Sequence, residues 1–193
     1  MQDLLPQIRS KIRGLVRDFA KSDFQTFNYE TSNIFTLAEP NINSIDSVLR
    51  NGAELGSGEY SYNSITNKII IDLASGNDFT VGDIVEVDYT FNKYSNTEIN
   101  KYIESALVWI SLFSSGDDDY ELEDEDIFPV PGNKTTDLIA IIASILIKPN
   151  YSEYKLPTLT VKYPKTVSKE DRIQKIISRF DMGIGFNGTI TYE

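Results

Sequence analysis

The chain has 193 residues, 40% of them hydrophobic and 24% charged, enough for one sizeable core or for a core with an insertion. It contains neither Cys nor His, which excludes disulfides, thiolate or imidazole metal sites and a Ser-His-Asp triad. A formal net charge of −11 disfavours free nucleic acid and anionic membrane as partners on average.

Residues 4–21 place Leu4, Leu5, Ile8, Ile12, Leu15, Val16 and Phe19 at helical spacing and predict a first helix with Pro6 in its first turn. Its basic residues fall mostly on the opposite face. Arg9, Arg13 and Arg17 are candidates for contact with an acidic partner or with phosphates, and the plainer reading is a solvated face. After Ser22 the period changes. Residues 34–38 predict a short strand stopped at Glu39-Pro40, and residues 47–50 lead into Asn51-Gly52, a strong hairpin signal. Residues 59–62 and 68–73 flank a turn at 63–67. In 84–91, Val85, Val87, Tyr89 and Phe91 alternate with Glu86, Asp88 and Thr90, giving one packed and one wetted face. Tyr29, Tyr60, Tyr62, Tyr89 and Tyr94 either pack in this module or present a sugar-binding face.

Ser95-Asn96-Thr97-Glu98 has the form of a capping box. The helix it opens packs Ile99, Ile103, Ala106, Leu107, Ile110 and Phe113, with Trp109 nearby, and ends around 114–116. An acidic loop follows, holding Asp117, Asp118, Asp119, Glu121, Glu123, Asp124, Glu125 and Asp126 with no base among them. It lacks the glycine and terminal Glu of an EF-hand, so no metal site is assigned. It reads as a solvated loop, or as a negative rim that repels phosphates.

A third helix is predicted over 133–147. Its most apolar stretch, 138–147, is far short of the ~20 residues that span a bilayer, so no membrane partner is expected. The charged N-terminal residues show no secretory signal. Leu159 and Val161 suggest one short extended stretch in the Pro-containing link. Ser168 with Asp171 opens a fourth helix over 169–182 carrying Ile173, Ile176, Ile177 and Phe180. The residues beyond it follow a helix and open none, so their glycines are no phosphate loop. They read as an extended tail that orders on a partner, with Gly183, Gly185, Phe186, Ile190 and Tyr192 as its candidate docking residues.

These elements predict an α+β fold: a small bundle of about four helices, residues 1–24 and 95–182, with an antiparallel β-sandwich-like module inserted at 25–94 and a tail at 183–193. No catalytic residue, metal or cofactor is assigned, and no enzyme activity is expected.

Residues 95–113 followed by 137–154, containing Leu138-Ile-Ala-Ile-Ile-Ala-Ser-Ile-Leu-Ile-Lys-Pro-Asn-Tyr, resemble the bundle core of the head–tail connector (adaptor) proteins of tailed bacteriophages. The stretch from Val48-Leu-Arg-Asn-Gly to Gly82-Asp-Ile-Val-Glu-Val-Asp-Tyr resembles a β-module of phage virion proteins. The resemblance lies in element order and texture over most of the chain, and the long β-insertion departs from the minimal helical form. It implies a structural virion protein, made in the bacterial host cytoplasm, that forms a dodecameric ring on the portal protein. A stopper or tail-completion protein would bind below, and double-stranded DNA would pass through the centre. On this reading the residue 183–193 tail docks on the portal and the acidic loop lines the channel or a rim. The alternatives are a carbohydrate-binding module and an acidic DNA mimic.

Overall fold

Helix α1 (Leu4–Val16) buries Leu5, Ile8, Ile12, Leu15 and Val16 along one stripe. It ends at Val16 rather than near residue 21. Arg17 takes a left-handed φ of 55°, and the amides of Arg17 and Asp18 donate back to the carbonyls of Gly14 and Arg13 at 3.3 and 2.8 Å. This is the Schellman stop, built here without the usual Gly or Asn. The structure is a computed structural model that describes residues 4–73, 79–115, 119–123, 126–151, 153–156, 159–162, 167–182 and 188–191. The fold is α+β, with four helices and largely antiparallel sheets among the described residues. The chain divides into two units, Met1–Asp18 with Asn96–Glu193, and Phe19–Ser95.

In the first unit α3 (Asn133–Ile147) is the central helix, packed against α1, α2 (Asn96–Phe113) and α4 (Lys169–Asp181). Leu138, Ile139, Ala140, Ile141, Ile142, Ala143 and Ile145 have no exposed surface, as a helix covered on several sides requires. Of its buried hydroxyl residues Thr135, Thr136 and Ser144, the last two donate to carbonyls one turn back at 3.0 and 2.7 Å. Ser168 caps α4 by accepting the Asp171 amide at 3.1 Å.

Two small sheets complete this unit. Strands β8 (Glu121–Glu123) and β9 (Asp126–Phe128) form a hairpin. Strands β10 (Glu153–Lys155), β11 (Leu159–Lys162) and β12 (Gly188–Thr191) form a sheet in that order, with β12 parallel to β11. Residues 188–191, expected in a free tail, thus add a strand to their own chain.

The second unit holds β1 (Lys21–Asn28), β2 (Ile34–Thr36), β3 (Ile42–Arg50), β4 (Ala53–Glu54), β5 (Tyr60–Asn63), β6 (Lys68–Ile71) and β7 (Ile84–Phe91). They make two sheets, β1-β7-β3-β4 and β2-β6-β5. The alternation in β7 directs Val85, Val87 and Tyr89 into a core shared with Val48, Phe35, Leu37, Ile69 and Ile71. Asn51 and Gly52 turn the β3–β4 hairpin with φ of 49° and 79°, the paired left-handed geometry that Asn-Gly favours. The unit begins at Phe19 rather than residue 25, because β1 starts soon after α1 stops.

Candidate interaction surfaces

The acidic segment is a hairpin where it is described, not an open loop. Leu122 pairs with the buried Ile127, and the alternation turns Glu121 and Glu123 to the exposed side. Asp119 is exposed and Asp126 half-buried. Asp117, Asp118, Asp124 and Glu125 lie outside the described residues. Among the described residues no three Asp or Glu side chains gather closely enough to hold a metal ion.

The basic side of α1 is turned inward at two of its three named positions. Arg9, only 8% exposed, donates from Nε to Asn100 Oδ1 at 2.8 Å. Arg13 pairs with the buried Asp18 and donates from Nη2 to Asn96 Oδ1 at 3.0 Å. Lys11 meets Asp137 at 2.6 Å. These long side chains lie along the margin of the apolar stripe, where they reach α2 and α3. Arg17 alone of the three stays exposed, beside Asn150, Tyr151 and Glu153 in an open depression of about 290 Å³.

Of the tail, Ile190 sits in β12 opposite Val161. Gly183, Gly185, Phe186 and Tyr192 lie outside the described residues. A second anchor of this region escaped the sequence. Arg172 of α4 is 2% exposed, and its Nη1 donates to the carbonyls of Pro149 and Tyr151, both at 2.7 Å. Beside it the Tyr154 hydroxyl donates to the Lys148 carbonyl at 2.6 Å. Burial pushes that phenol up to about 12, against the opposing pull of the Arg172 charge.

The tyrosines of the inserted unit form no exposed platform. Tyr89 is fully buried, and Tyr29, Tyr60 and Tyr62 pack against the same core. Tyr29 leans on Phe79 at 5.2 Å, and the Tyr62 hydroxyl donates to Asn67 Oδ1 at 2.9 Å. Burial raises the Tyr62 and Tyr89 phenols, with the Asp23 charge adding to the second. Tyr94 lies under the Lys93 ammonium, 5.3 Å from its ring centre.

One group of exposed apolar residues lies at the end of α2. Val108 and Leu112, one turn apart on α2, are 56% and 69% exposed. Phe113, expected inside, is 44% exposed and stacks on Trp109 at 5.1 Å. The run Ala106-Leu-Val-Trp-Ile110 held the signal, because five consecutive apolar residues exceed the one face α2 buries. At this end of the helix Asp181 of α4 accepts the Ser114 hydroxyl and the Ser115 amide, each at 2.9 Å. No protein-family model matches the chain, and no curated protein sequence is significantly similar to it.

Proposed function

We propose that the chain is a structural virion protein of the head–tail connector class. It forms a ring, dodecameric by the resemblance, between portal and stopper or tail-completion protein, and double-stranded DNA passes through it. The observation that carries this reading is the uncovered apolar end of α2, Val108, Leu112 and Phe113, on a helical unit whose own core is already closed around α3. Exposed apolar residues grouped on a rigid helix suit docking to protein. The acidic hairpin follows α2 in the chain, and its Glu121 and Glu123 carboxylates suit a surface that DNA must pass without adhering.

The sugar-binding alternative has less support, since Tyr29, Tyr60, Tyr62 and Tyr89 pack against the core of the β unit. A DNA mimic needs carboxylates spread over a long surface, whereas the densest acidic stretch here is the one short segment of residues 117–126.

The reading is tested with the portal ring encoded beside this chain. Leu112→Asp is expected to keep the fold, changing stability by no more than about 0.5 kcal/mol at so exposed a position, while abolishing association with the portal or ring closure upon it. Wild-type association by this variant and by Val108→Asp would remove the surface from the account.

A further inference from the structure

Strand β1 is an open edge of its sheet, and its two ends differ in kind. The opposite edge, β4, is two residues long, whereas β1 runs eight residues against β7 without a register shift. Lys21, Ser22, Asp23 and Phe24 are all exposed, so neither face of this half of the strand is covered. Phe24 is 65% exposed and lies opposite Asp88, on the face away from the core. Gln25 and Phe27 take the core face, opposite Val87 and Val85. A long straight edge without Pro or bulge is a template for a further strand.

We infer that β1 pairs with β1 of a second copy, antiparallel, about a two-fold axis that passes through Phe24. The occupant follows from the register. A two-fold normal to the sheet must set opposite residues on the same face, so the axis falls on a residue and not between two. Centred on Asp23, it would oppose two carboxylates. Centred on Gln25, it would leave Phe24 against Thr26. Centred on Phe24, it sets the two exposed rings together, Ser22 against Thr26, Asp23 against Gln25 and Lys21 against Phe27, with no like charges directly opposed. The contact is one strand deep, well below the ~1,200 Å² of stable complexes, so it is a weak dimer that depends on concentration. A cyclic ring relates neighbours head to tail. The pair therefore belongs to the free chain, and it stands or falls independently of the connector reading.

The absence of native Cys lets single introduced thiols report the register in the full chain. Residues directly opposite lie about 5 Å apart, within bridging range, whereas Thr26 would lie about 14 Å from its own counterpart. Under mild oxidation Phe24→Cys, and an equimolar mixture of Ser22→Cys with Thr26→Cys, are expected to form disulfide dimers about tenfold faster than Thr26→Cys alone. In sedimentation velocity the wild type should show a concentration-dependent dimer that Phe24→Lys abolishes, with circular dichroism unchanged. Equal cross-linking by all the thiols, a wild type monomeric at every concentration, or undiminished dimer in Phe24→Lys would overturn the inference.

Discussion

Arg50 reaches Asp83 with Nη2 2.7 Å and Nε 2.9 Å from the same carboxylate oxygen, tying the end of β3 to the residue before β7. The same carboxylate accepts the Thr80 amide at 2.9 Å and the Asn51 side chain at 2.8 Å. Asn51 in turn accepts the Ile84 amide at 2.9 Å. Arg50 also lies over the Phe79 ring at 4.5 Å. One carboxylate thus gathers the β3–β4 turn and the segment entering β7.

The Thr80 amide, then Asn51, and after them Arg50 hold the Asp83 carboxyl at about 2, against an ordinary value of 3.8. The folded state therefore binds this proton more weakly than the unfolded chain. Its contribution is present above 3.8 and is lost as the pH falls through about 2. Urea unfolding between these values should show a decline that Asp83→Asn flattens, with a lower midpoint for that variant at neutral pH. An unchanged acid profile would show that Asp83 does not carry the effect.

Tyr154 sets the opposite limit. Its phenol is raised from 10.0 to about 12, so the folded chain keeps a proton that the unfolded chain gives up. Stability from this group is complete below 10 and is lost as the pH rises through about 12. Tyr154→Phe should remove that alkaline loss. It should also destabilise the chain by about 1 kcal/mol at neutral pH, by removing one of the two donors to the Lys148 carbonyl, which keeps the Tyr151 amide at 3.1 Å. Tyrosinate absorbance followed alongside unfolding checks both.

The central helix should be the most sensitive element. Ile142 is fully buried, so Ile142→Ala should cost about 2–5 kcal/mol and Ile142→Val about 0.5–1.5 kcal/mol. Val108→Ala, at an exposed site of α2, should stay within about 0.5 kcal/mol. Denaturant midpoints at constant m-value separate the two sites.

Ser168→Ala should weaken α4 by about 0.5–2 kcal/mol, because the Asp171 amide loses its acceptor, and Ser168→Asp should restore most of it. A cap worth nothing here would show that packing of Ile173, Ile176 and Ile177 alone fixes the start of the helix.

What was legible in the sequence follows from where the signal is local. The alternation of 84–91 marked Val85, Val87 and Tyr89 as inward, and all three are buried. Asn51-Gly52 marked a turn because its backbone geometry needs those residues. The limits 133–147 emerged from an apolar run with clear boundaries. Strand β1 was hidden because its core-facing positions begin with Lys21, Asp23 and Gln25, which show no apolar period on a half-covered edge. The stop of α1 was hidden because Arg17 adopts a conformation usually marked by Gly. Strands β10 and β12 depend on pairing with β11 rather than on their own composition. Nothing in the sequence marked Arg172, since its burial depends on the distant carbonyls of Pro149 and Tyr151. Among the surfaces, the acidic run was plain as charge, but its hairpin form depended on Leu122 meeting Ile127.

The most direct test of the connector reading is native mass spectrometry of this chain mixed with the portal ring encoded beside it. The account predicts a complex carrying one copy of the chain per portal subunit. Free chain and free portal side by side, in both low and high salt, would contradict it.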